Sequence, residues 1–145
     1  MTVVPFTKLG PVLTDALLEL KDLFLEVERG AVSQPETDRR LAAIRATLPA
    51  DGTAVRDIVF RGLKNFAAGE DDYLSVSALE LSGAGVYALA LDEYMRRCGC
   101  LEFLIPPAAP LGEFAVTLHH CGWGIENYYS FGDEDLDHAG VIFSR

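Results

Sequence analysis

Apolar residues recur at helical spacing through about the first two-thirds of the chain, and the period then changes. Leu13, Leu17, Leu20, Phe24 and Val27 form one stripe, widened by Leu18 and Leu25. Gly10-Pro11 precedes it and presets a first turn, Asp15 suits the positive end of the helix dipole, and Arg29-Gly30 is a stop signal. A second helix is predicted from Ser33-Gln34-Pro35-Glu36, which has capping-box spacing, through Leu41, Ile44 and Leu48 to Pro49. After the Asp51-Gly52 turn, Thr53 is placed to cap a third helix whose stripe is Val55, Ile58, Val59, Leu63 and Phe66, with Gly69 closing it.

The segment from Tyr73 to Leu81 reads two ways. Leu74, Val76 and Ala78 alternate with serines, as in a strand, while Tyr73, Ser77, Glu80 and Leu81 fit a helix; three acids at 70–72 favour a helix start, and a helix is the expectation. Val86 to Arg97 is predicted helical, with Leu89, Ala90 and Met95 offered to the core and Gly99 as its cap. Beyond Gly99 the apolar run Leu101 to Ile105 ends at Pro106-Pro107. Phe114, Val116 and Leu118 then alternate with Glu113, Ala115 and Thr117, which predicts a strand. Cys121-Gly122-Trp123-Gly124 is a turn candidate. Ile125 to Phe131 is expected to return as a strand, Gly132 to Gly140 to form an acidic loop, and Val141-Ile142-Phe143 to be the last strand. Segregated helices and strands predict an α+β fold: four to five N-terminal helices, then a small antiparallel sheet of three to four strands. The whole of 1–145 is expected to be one domain, with a helical layer over about 11–98 and a β-rich layer over about 101–144.

Charge changes this picture, because all of the net charge lies in the second half. Residues 1–69 hold nine acids and nine bases, whereas residues 70–145 hold thirteen acids and three bases (Arg96, Arg97 and Arg145), which accounts for the formal −10. No Lys or Arg stands between Arg97 and Arg145. Such a surface repels phosphate backbones and anionic lipid, so neither nucleic acid nor a membrane surface is an expected partner. The longest apolar stretch, Ala84 to Leu91, falls well short of the ~20 residues that span a bilayer. Residues 1–8 do not read as a signal peptide. Three cysteines with one C-x-C pair do not resemble a secreted disulfide framework, and the expected compartment is the cytoplasm.

Three groups of residues could carry chemistry. Cys98, Cys100, His119, His120 and Cys121 are zinc-type ligands, but C-x-C matches no standard module. On a strand His119 and His120 would point to opposite faces, leaving Cys121 to share a face with His119. Asp133, Asp135 and Asp137 imitate the start of a calcium loop. With these at positions one, three and five, His138 falls where the loop needs Gly and Ser144 where it needs Glu, so that reading fails. Trp123, Tyr128, Tyr129 and Phe131 crowd just before the acidic loop, and aromatic residues beside acids suit a protein-recognition surface. Phosphate-binding glycine loops, H-E-x-x-H and G-x-S-x-G are missing from the sequence.

The leading expectation is therefore a non-enzymatic partner-binding protein without a cofactor. Its acidic C-terminal half would dock on a basic protein surface through Trp123, Glu126, Tyr128, Asp133, Glu134, Asp135 and Asp137. Small acidic immunity and inhibitor proteins that neutralise a basic effector share this physical profile, since complementary charge speeds association. The alternative is a small enzyme or metal-binding protein with a site near Cys98, His119 and Cys121, joined by His138. A third reading is an oligomeric scaffold using the broad apolar face around Leu18 and Leu25. The sequence specifies no oligomeric state.

Overall fold

In a computed structural model, residues 6–78, 80–81, 85–106, 112–128 and 140–145 are described. Their order is α1 (Phe6–Glu28), α2 (Gln34–Ala46), α3 (Val55–Ala67), α4 (Gly85–Cys98), β1 (Glu102–Ile105), α5 (Gly112–His120), β2 (Gly124–Tyr128) and β3 (Gly140–Ser144). Four helices thus precede the first strand, a fifth lies between β1 and β2, and the three strands form an antiparallel sheet in the order β1-β3-β2. This is the α+β class expected, with the helix-rich part first.

The boundaries follow local chemistry. Gly10 breaks α1 with φ 79° and ψ 162°, so the long helix effectively starts at Pro11, as the Gly-Pro pair predicts. The break has a second cause: a Cβ on Gly10 would lie 2.3 Å from the Cys98 carbonyl oxygen, so only glycine lets the start of α1 meet the end of α4. Ser33 caps α2, its hydroxyl accepting from the Glu36 N–H at 3.3 Å. The Glu36 side chain does not reach back; it pairs with Arg39 instead. Thr53 does not cap α3. The N-cap position is Ala54, in a left-handed conformation with φ 65°. The Asp51 carboxylate does the capping, accepting from the backbone N–H groups of Thr53, Val55 and Arg56 at 2.7, 3.1 and 2.8 Å. Burial works against the charge of Asp51, yet these bonds hold its carboxyl below the usual range.

Two element expectations are corrected. Residues 112–120 form helix α5, not a strand. Phe114 and Leu118, four positions apart, are buried, whereas Val116 is 54% exposed. The i, i+4 pair Phe114 and Leu118 fits both periods, and the exposure of Val116 between them follows the helical one. The stretch after Asp72 is not a helix either. Leu74 and Val76 are fully buried, and Ser75 makes a parallel bridge to Leu104 of β1. The Leu104 N–H donates to the Leu74 carbonyl and the Val76 N–H donates to the Leu104 carbonyl, both at 2.8 Å. Gly62 of α3 makes this possible, since a Cβ there would lie 2.3 Å from the Ser75 carbonyl oxygen.

The core is one cluster running from α1 through α3 and α4 to the sheet. Leu89 does not belong to it, being 55% exposed, and Leu23 rather than the exposed Val27 completes the α1 stripe. None of the helices among the described residues is long and apolar enough to cross a membrane.

Candidate functional site

Where α4, the α5–β2 turn and the chain's last residue converge, one carboxylate organises the neighbourhood. Asp92, on α4, accepts the indole N–H of Trp123 at 2.8 Å. Arg96, one turn later, donates its Nε to both Asp92 oxygens at 3.0 and 3.1 Å and its Nη2 to the Cys121 carbonyl at 2.7 Å. Arg145 approaches Asp92 at 3.6 Å, and its guanidinium lies 5.3 Å from the centre of the Trp123 ring. His119 sets its Nδ1 3.2 Å from the Trp123 carbonyl. The turn itself is shaped by Gly122, at φ 103°, and by Trp123 N–H donating back to the Leu118 carbonyl. Trp123 is only 1% exposed and meets Phe103 edge-on at 4.9 Å, with Phe143 stacked behind at 5.5 Å. Its place is the core. It cannot offer its ring to a partner while the fold is intact.

Chemically this cluster is a latch. Both Asp92 oxygens and the Trp123 indole N–H are engaged, and the cluster ties three segments together. The thiols are not primed as nucleophiles. Burial pushes Cys98 up to about 11 and Cys100 up to about 12, and Cys121 is raised by burial and by the neighbouring Asp92 carboxylate. His119 and Cys121 flank the same turn. Among the described residues no group of three His, Cys, Asp or Glu side chains could hold a metal. The sequence signal for Asp92 was an ordinary i, i+4 Asp–Arg pair on a helix; its bond to a tryptophan 31 positions away had none.

Several acids of the second half are neutralised by cations and others are not. Glu80 pairs with Arg61, Asp92 with Arg96 and Arg145, and the buried Glu102 with Lys8 at 2.6 Å. Glu113 and Glu126 are exposed and meet no cation among the described residues. Glu126 stands on β2 between the exposed Ile125 and Asn127. Tyr128 ends β2, opposite Gly140. Asp133, Glu134, Asp135, Asp137 and His138, with the loop expected there, lie outside the described residues.

The direction of each β2 backbone group follows from the sheet. Leu104 spends its N–H and carbonyl on Leu74 and Val76, so these point away from β3. Alternation along the strands then turns Phe143 toward β1 and Ile142 and Ser144 toward β2. Glu126 and Gly124, their partners, point inward. Ile125 and Asn127 therefore aim their N–H and carbonyl groups outward, where among the described residues they meet no partner.

The chain matches no protein-family model, no curated protein and no solved structure.

Proposed function

We propose that this is a non-enzymatic binding protein whose acidic C-terminal half docks on a basic protein surface, in the manner of an immunity or inhibitor protein. The observation that carries the reading is the unbalanced charge: Glu113 and Glu126 are exposed without a cation among the described residues, in a stretch with no Lys or Arg between Arg97 and Arg145. Unpaired surface acids of one sign accelerate encounter with a basic partner and set the salt dependence of the complex. The neighbouring polar cluster favours binding over catalysis, because Asp92, Arg96 and Arg145 are consumed in holding Trp123. A cytoplasmic setting, with free thiols, accords with this role. Glu126 and Asn127, with Asp133, Glu134, Asp135 and Asp137, form the proposed contact.

Recovery of a basic protein by the tagged chain tests this. The complex should form at about 50 mM salt and dissolve at about 500 mM, where the Debye length falls below about 5 Å. Reversing Asp133, Glu134, Asp135 and Asp137 together to Lys should abolish it. A complex that survives both treatments would overturn the reading.

A further inference from the structure

The two sides of the sheet end differently, and the difference has chemical consequences. On the β1 side the edge is closed by residues 74–76. On the β2 side Ile125, Glu126 and Asn127 are exposed in succession. Successive strand residues point to opposite faces, so exposure of all three means that β2 is open on both faces as well as along its edge. Two residues, Ile125 and Asn127, present outward N–H and carbonyl groups, enough for an incoming strand to pair in register.

Such edges are commonly blunted by Pro, Lys or a bulge. β2 reads Gly-Ile-Glu-Asn-Tyr and has neither Pro nor Lys. Its one charge, Glu126, repels an acidic strand and attracts a basic one. A second copy of this chain fits poorly, because two β2 strands centred on each other would oppose Glu126 with Glu126, and each copy carries −10.

We propose that the open edge of β2 takes up an extended strand from a basic protein, with an apolar residue opposite Ile125 and Lys or Arg opposite Glu126. The register supplies this pattern. Ile125 continues the row Phe103–Phe143–Ile125, so an apolar side chain there extends the buried row by one strand. Glu126 continues the row Leu104–Ile142–Glu126 on the other face, where a cation finds its counter-charge. This inference rests on the binding reading above and specifies how the partner is held.

The test uses the full chain and two short synthetic peptides of alternating Lys and Val. They are identical in charge, but one is N-methylated at alternate amides so that it cannot complete a ladder. Fluorescence anisotropy should show the unmethylated peptide binding about tenfold or more tightly over its methylated twin, as expected for losing two backbone hydrogen bonds. Asn127→Pro removes one outward N–H at an edge position that tolerates proline and should erase most of that preference. Glu126→Lys should weaken both peptides. Equal binding of the two peptides to the wild-type chain would overturn the strand pairing and leave the acidic docking reading standing. Failure of both peptides to bind at about millimolar concentration would overturn both. If Asn127→Pro does not melt like the wild type, the methylated pair decides alone. Self-association that Asn127→Pro abolishes would identify a second copy as the occupant and overturn the proposal.

Discussion

The two edges of this small sheet solve the same problem in opposite ways. β1 has its outer backbone groups taken by Leu74 and Val76, both at 0% exposure, and Gly62 of α3 yields the space in which that segment lies. β2 leaves Ile125 47% exposed and the outward groups of Ile125 and Asn127 unsatisfied by the described residues. The closed edge packs against α3, whereas the open edge carries the exposed Glu126. The closed edge and the open edge therefore lie on opposite sides of one three-stranded unit.

The contrast is most severely challenged by loosening the closed edge. Leu74→Ala should cost about 2–5 kcal/mol, the range for truncating a fully buried leucine. Hydrogen exchange at the Leu104 and Val76 amides should accelerate with it, while the Ile125 and Asn127 amides, fast already, should not change. Equal exchange at both edges in the wild-type chain would erase the distinction. Next comes the latch that seats the open strand. Asp92→Ala leaves the buried Trp123 N–H without its acceptor and should cost about 1–3 kcal/mol, with a changed near-ultraviolet signal from the single tryptophan. A melting curve like that of the wild type would show that Arg96 and Arg145 hold the turn unaided.

Thiol chemistry sharpens the same comparison. At pH 8 a thiol reagent should label Cys121 on the native protein and spare Cys98 and Cys100, which are buried; denaturant should expose all three. Because burial raises the folded-state values of Cys98 to about 11 and Cys100 to about 12, the neutral thiols stabilise the fold fully below the ordinary thiol range. That contribution falls as pH rises through those values, so a Cys100→Ala variant should lose less stability between pH 8 and pH 11 than the wild type. Equal losses would break the assignment. The smallest effect is expected at the open edge itself. Ile125→Thr should change stability by less than about 0.5 kcal/mol, as for other exposed sites, and a larger loss in thermal melting would mean that the edge is covered.

Much of the helical part was legible. Gly10-Pro11, Ser33 and Gly69 punctuate helices where expected, because caps and turn glycines act over a few residues. Two segments were misread. Phe114, Val116 and Leu118 fit a strand by spacing and became helix α5, with Val116 turned outward. The residues around Leu74 leaned helical and became the closing segment of β1. Both are short, and over so few residues apolar spacing does not separate period two from period 3.6. Of the candidate contacts, Glu126 is exposed on β2, while Trp123 is buried and held by a carboxylate on another helix. An aromatic residue beside acids looks alike in sequence whether it faces solvent or core.

The sequence by itself determined the class of the fold, most helix limits and the gathering of acidic charge in the second half. These depend on residues near one another or on simple sums. Tertiary structure alone decided which acids are neutralised, since Glu80 and Glu102 find Arg61 and Lys8 from the first half of the chain. It also decided which strand edge is closed, because a backbone hydrogen bond carries no side-chain signature and is assigned only when distant segments meet.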